Sequence, residues 1–207
     1  MNYLILLAKT ILKNTITMEH FYQKIPNWFN WPSLYKNMVD RFGDNSHFVE
    51  IGSFKGCSAA FMAVEIINSG KNIKFDCIDL WSDFWDSDSK DLKNNTIYLN
   101  MYETFLNNIK PVSHIINPIR SDSHSAASLY NNNSLNFVYI DANHHYDYIK
   151  KDLQLWYPKI KKGGIFAGHD FINNETCQVQ QAVEEFCRIY KLTVNLEEGG
   201  SWLIDIK

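Results

Sequence analysis

The chain has no apolar run long enough to span a membrane, no C-x-x-C pair and no G-x-G-x-x-G. Each absence removes a class. Without a long apolar run there is no membrane-spanning helix to expect. The four cysteines, Cys57, Cys77, Cys177 and Cys187, stand apart and read as reduced packing thiols of a cytoplasmic protein, neither a redox pair nor a zinc knuckle. The missing glycine fingerprint counts against a nicotinamide or flavin oxidoreductase. Excess charge is also missing. A net charge of −3 over 207 residues makes no electrostatic case for nucleic acid as partner. There is no internal repeat and no low-complexity linker. The apolar stretch Leu4 to Leu7 has no basic residue ahead of it and is cut by Lys9 and Lys13, so it does not read as a signal peptide. Residues 1 to 18 read instead as an amphipathic helix packing on this chain or on a second subunit, with contact to a membrane surface as the alternative.

What is present is an alternation of strand and helix patterns, 45% hydrophobic overall, the composition of a globular α/β domain. The apolar run Phe48 to Ile51 carries Glu50 near its end. Gly52 and Gly56 follow, and then a helical stretch from Ala59 to Ile67 closed by Gly70. Ile73 to Asp79, His114 to Ile119 and Leu135 to Asp141 read as further strands, two of them acid-terminated. Tyr98, Met101, Tyr102, Phe105 and Ile109 recur at helical spacing. Ile149, Leu153, Trp156 and Ile160 make a second stripe, which Gly163 and Gly164 are expected to end before a fifth strand at Ile165. Val179 to Tyr190 is the last helix. Residues 192 to 206 read as a β-hairpin turning at Glu197–Gly200. Ahead of the first strand, residues 19 to 43 are dense in rings: Phe21, Tyr22, Trp28, Phe29, Trp31 and Tyr35. They read as a cap helix, or as a lid over a site, in an N-terminal unit of residues 1 to 43 placed before a core of residues 44 to 207. Exposed rings there would also favour a homo-oligomer.

E-x-G-x-x-x-G after a first strand, acid-terminated strands and a closing hairpin together resemble the class I S-adenosylmethionine (SAM) dependent methyltransferases. Two further segments narrow the resemblance. Ile140-Asp141-Ala142-Asn143-His144-His145-Tyr146 and Gly163-Gly164-Ile165-Phe166-Ala167-Gly168-His169-Asp170 are similar to the IDxxHxY and GGxxAGHD signatures of a bacterial, methyltransferase-24-like group, related to sugar and small-molecule O-methyltransferases. The match runs from about Ile25 to Leu203. It implies a Rossmann-like seven-stranded sheet with a C-terminal antiparallel hairpin and an N-terminal helical cap.

In open α/β sheets ligands sit at the carboxyl ends of the strands, and the polar residues of interest cluster there. The resemblance implies SAM as cofactor, its methionine part held at Glu50, Gly52, Ser53, Phe54 and Gly56. Asp79 can accept hydrogen bonds from both ribose hydroxyls, with Trp81 beside it either covering the cofactor or packing. Ser121-Asp122-Ser123 follows the third strand. In the family this position binds the adenine amino group; Asp122 is the candidate, with Ser123 next to it, while an N-cap role would suit either residue equally. Asp141 and Asp170 would end adjacent strands and face one site, where carboxylates that close need a proton or a cation between them. Some relatives hold a divalent metal there, and oxygen ligands favour Mg²⁺. His144 is the candidate general base. His169 departs from the carboxylate or amide usual beside that aspartate, and could ligate a softer metal, act as a second base or orient Asp170. His145 is read as a neighbour without chemistry, and His20, His47, His114 and His124 as surface or core histidines. The acidic loop Asp83 to Asp88 reads as solvated, or as a lid disfavouring anionic substrates. The expected reaction is methyl transfer to a hydroxyl of a sugar or other small molecule. N-methylation without metal, or a non-catalytic SAM-binding partner subunit, are the alternatives.

Overall fold

The computed structural model describes residues 17–82 and 100–207. The expected helix over residues 1 to 18 and the acidic loop Asp83 to Asp88 therefore lie almost wholly outside the described residues. Seven strands form one sheet: β1 (Ser46–Ile51), β2 (Ile73–Asp79), β3 (Ile116–Arg120), β4 (Leu135–Ile140), β5 (Ile160–Gly168), β6 (Val194–Leu196) and β7 (Trp202–Asp205). Their order is β3-β2-β1-β4-β5-β7-β6. The first five are parallel, and β7 runs antiparallel between β5 and β6. The hairpin expected from residues 192–206 is thus present, inserted so that its second strand pairs with β5.

The strands at the centre are buried on both faces, which is why they read as continuous apolar runs. Along β1, Phe48 faces one core and Val49 and Ile51 the other; along β4, Phe137 and Tyr139 oppose Val138 and Ile140. The first face is covered by α1 (Pro32–Arg41), α2 (Cys57–Ser69) and α3 (Met101–Ile109). The second is covered by the one-turn α4 (Ser123–Ala126), α5 (Tyr146–Trp156) and α6 (Val179–Tyr190).

Helix α2 is buried almost all round, from Cys57 to Val64 without a break. Amphipathicity fails there because the helix is sandwiched: the sheet lies beneath it, and the N-terminal segment covers its outer side. Met18 is tied by backbone hydrogen bonds to the Asn68 side chain, and Phe21, Tyr22 and Phe29 pack on Cys57, Ala60 and Phe61. Trp31, Leu34, Tyr35, Met38 and Val39 enter the same core as the sheet. The rings expected to be exposed for self-association are mostly used up in this packing; of the six, Trp28 alone is exposed, at 68%.

One boundary differs from expectation. The stripe through Ile160 does not continue as helix, and Gly163 and Gly164 are not its end. α5 stops at Trp156, a 3-10 turn over Tyr157–Lys159 follows, and β5 already begins at Ile160. Pro158 lacks the N–H a continuing helix needs. β5 then carries the two glycines through an irregular register, Leu135 pairing Ile160 while Phe137 pairs Ile165.

Candidate active site

The ends of β1 and β4 meet at a small cleft whose lining includes Gly52, Ser53, Phe54, Ser58, Trp31 and Asp141. The turn after β1 is set by glycines. Gly52 has φ +89, and a Cβ there would sit 1.8 Å from the Asp141 carbonyl oxygen. Nothing larger fits while β4 runs alongside. Gly56, at φ +84, starts α2 where a Cβ would meet Ile109 at 2.8 Å. The result is a bare backbone cradle at the start of a 13-residue helix, the arrangement that receives anionic groups.

Glu50 lies under this turn, 1% exposed. Its Oε2 accepts a hydrogen bond of 2.7 Å from the Tyr35 hydroxyl, while Oε1 has no hydrogen-bond partner, and neither has Ser53 Oγ. Burial pushes the Glu50 carboxyl up to about 7, against the Tyr35 hydrogen bond, which pulls it down. Such a group is a latent anion that a nearby cation would ionise.

Asp79 closes β2. Its two oxygens accept the backbone N–H groups of Phe54 and Trp81, each at 2.8 Å. Burial raises its carboxyl above the usual range, the Trp81 and Phe54 bonds opposing that rise. Trp81 itself is core: 1% exposed, its indole donating to the Phe54 carbonyl and its ring against Tyr102 and Phe105. Of the two readings of Trp81, the structure shows the packing one. Asp122 N-caps α4, accepting from the Ser125 N–H at 2.9 Å, and Ser123 turns inward to Asp152 and Trp156. Asp76, the neighbouring acid in β2, is filled by His47, Asn117 and Tyr130. That network lines a surface depression that also takes in Lys74, Ile119 and Asn131.

Beyond β4 and β5, four side chains converge. His144 Nε2 is 3.0 Å from Asp170 Oδ2 and 3.9 Å from Asp141 Oδ1. His169 Nδ1 is 3.2 Å from Asp170 Oδ1 and 3.8 Å from Asp141 Oδ1. The parallel register of β4 and β5 places Ile140 beside Gly168, so the residues just past both ends share one site. Asp170 reaches it with a positive φ of 53, a conformation an aspartate tolerates better than most residues. The two carboxylates lift His144 to about 10, Asp141 contributing most. At Asp170 burial acts upward, but hydrogen bonds from His144 and His169 hold the carboxyl well below the usual carboxylate range. At His169 burial acts downward, yet the Asp170 hydrogen bond and the charges of Asp141 and Asp170 raise it. His169 Nε2 also donates to the Gly199 carbonyl at 2.7 Å, so only its Nδ1 faces the acids. Donor atoms of Asp141, His144 and Asp170 all lie within 4.8 Å of one another, close enough to hold one metal ion.

The cap completes the walls. Asn27, Trp28 and Phe29 line the cleft, Trp28 stacks on Phe54 at 5.3 Å, and Trp31 lies between Tyr139 and His169. Three partners were not legible in the sequence: Tyr35 for Glu50, the Gly199 carbonyl for His169, and Asp152 for Ser123. The ring density of residues 21–35 pointed to a cap; nothing linear linked Gly199 or Asp152 to the site.

An open α/β sheet with an antiparallel last strand, a glycine cradle after β1 and acids ending β2, β4 and β5 defines the class I methyltransferase arrangement. Residues 49–171, more than half of the chain, match the model of a family described as a methyltransferase domain, and the chain belongs to that family as a SAM-dependent methyltransferase. No curated protein matches it by sequence. Solved structures share the fold at low identity. The O-methyltransferase NovP superposes with a TM-score of 0.65 at 15% identity, over 84% of this chain and 78% of that one. A Corynebacterium glutamicum protein gives 0.62 at 14%, over 98% and 96%. Aeropyrum pernix fibrillarin, solved with natively bound SAM, gives 0.52 at 12%, over 83% and 73%.

Proposed function

We propose that this protein transfers a methyl group from SAM to a hydroxyl of a sugar or other small molecule. The observation that carries the reading is the convergence of Asp141, His144, His169 and Asp170 beside the β1 cleft. SAM suits the residues present: the cradle at Gly52 and Gly56 admits a carboxylate, and the unpartnered Glu50 Oε1 and Ser53 Oγ await a cationic or donor group. When bound it supplies an electrophilic methyl on a sulfonium. Ser53, Phe54 and Gly56 would hold the methionine end, Asp79 the ribose, and Asp122 the adenine, with Ser123 turned inward behind it and Trp81 backing that surface. Residues 1–43 act as cap and partial lid to the SAM-binding core of residues 44–207, in a cytoplasmic protein whose four cysteines are buried free thiols.

The acceptor hydroxyl would lie against the acid–imidazole cluster. His144 holds its proton at neutral pH while it faces two carboxylates. Were a bound cation to neutralise those carboxylates, His144 would lose that proton to solvent, and the freed lone pair would take the acceptor's proton. A divalent cation would be held by Asp141 and Asp170, with His144 within reach. It would supply Lewis acidity that lowers the hydroxyl's pKa; the carboxylates suit Mg²⁺, the imidazole a softer ion. His169, pinned by Gly199, orients Asp170. Positioning of acceptor and donor in line is the main source of rate, on the order of 7–11 kcal/mol.

The test is turnover. The protein is incubated with SAM and a panel of sugars, nucleotide sugars and phenols, and S-adenosylhomocysteine (SAH) and a methylated product are sought by mass spectrometry, with Asp141→Asn as control. Product that resists chelator and His144→Ala and carries the methyl on nitrogen would replace the hydroxyl reading.

A further inference from the structure

Asp152 is a carboxylate the proposed chemistry does not use. It sits on the inner face of α5 with Ile149, Leu153 and Trp156, 2% exposed. A charge buried among apolar side chains persists only with partners. Its partners all lie toward one loop. Ser123 Oγ donates to Asp152 Oδ1, and the same hydroxyl accepts from the Trp156 indole at 3.0 Å. His124 Nε2 is 3.4 Å from Asp152 Oδ1, its ring stacked on Tyr148 at 5.9 Å.

The loop needs this help. Ser123 and His124 open α4, a helix of one turn, and one turn does not hold itself. Asp122 caps it, and the Ser121 N–H donates to the Asp79 carbonyl at 3.0 Å. One face of the loop is therefore joined to the end of β2, and the other to α5 through Ser123. With Ser123 turned inward to its anchor, the loop is held from both sides, and Asp122 follows directly on the Ser121 bond to the end of β2.

We propose that Asp152 is a positioning residue for the cofactor's nucleoside half: through Ser123 it fixes the Ser121–Ser123 loop against the end of β2. The inference rests on the reading that Asp79 and Asp122 receive that nucleoside. Asp152 touches no ligand. Its role is to remove, before binding, the loop freedom that binding would otherwise have to freeze.

Calorimetry with SAH, and with adenosine alone, tests it at 25 °C. Asp152→Ala should weaken SAH binding by about tenfold, as losing a charge-assisted anchor of the loop would. Adenosine binding should fall in parallel. Asp152→Asn keeps an acceptor for Ser123 Oγ and should restore affinity to within a few-fold. Ser123→Ala, which removes the bond and leaves the carboxylate, should reproduce the loss, and serves if Asp152→Ala does not fold. A purely structural Asp152 would lower the melting temperature and leave both affinities in place. Unchanged SAH affinity in Asp152→Ala and Ser123→Ala, while Asp79→Ala or Asp122→Ala weakens it, overturns the positioning role. If Asp79→Ala and Asp122→Ala also bind normally, the nucleoside reading itself falls, and the positioning role with it.

Discussion

Glu50 is expected to cost the protein stability that its cofactor recovers. The carboxyl is 1% exposed, has one oxygen without a partner, and titrates near 7 in place of 4.5. At about 1.4 kcal/mol per pH unit, that rise amounts to about 3 kcal/mol. The sign follows from proton counting. Between pH 4.5 and 7 the folded state keeps the proton that the unfolded state has lost, so stability falls as pH rises through this window. Below pH 4.5 both states are protonated and the contribution is complete. Glu50→Gln keeps the shape and an acceptor for the Tyr35 hydroxyl while removing the ionisation. At pH 8 the variant should be more stable by up to about 3 kcal/mol, a melting temperature several degrees higher for a chain of this size. At pH 4.5 the difference should vanish. If Glu50 faces the cationic end of SAM as proposed, SAM should bind the variant at least about tenfold more weakly, and SAH, without the sulfonium, should lose less. Scanning fluorimetry of both proteins from pH 4.5 to 8.5 reads the first effect and calorimetry the second. A variant no more stable than the parent at pH 8, or one whose advantage grows as pH falls, would refute the reasoning.

Asp79→Ala should weaken SAM binding about tenfold or more, the loss of charge-assisted hydrogen bonds; unchanged affinity in calorimetry would remove Asp79 from the cofactor site. Asp141→Asn should abolish methyl transfer with SAM still bound, whereas loss of SAM binding would reassign the residue to the cofactor. Gly52→Ala should unfold the turn or the chain, since its Cβ would lie 1.8 Å from the Asp141 carbonyl oxygen; a soluble variant with an unshifted melting temperature would contradict that packing. Mg²⁺ or Mn²⁺ should raise the melting temperature of the parent and leave Asp141→Asn/Asp170→Asn unmoved, and equal shifts in both proteins would dismiss the metal.

Much of the sheet was legible because buried parallel strands show as apolar runs and their acidic ends stand out against them. Phe48–Ile51, Ile73–Asp79 and Leu135–Ile140 are visible in that way, and the closing hairpin through its glycines. The start of β5 was misplaced because Ile160 continues the helical spacing of Ile149, Leu153 and Trp156, a coincidence that Pro158 interrupts. The fate of Trp81 was undecidable in one dimension: an aromatic after an acid-ended strand serves a ligand or a core equally well, and the Phe54 carbonyl with Phe105 settled it for the core.

The sequence by itself determined the family, the alternation of elements and the carboxylates and imidazoles brought to the strand ends, because these follow from local periodicity and short motifs. Only the tertiary structure decided how they are paired. Tyr35 meets Glu50, Gly199 pins His169 from a turn 30 residues away, and Asp152 reaches back 29 residues to Ser123. Charge state and orientation at a site are set by what lies across a contact, and such contacts form where the sheet folds distant segments together.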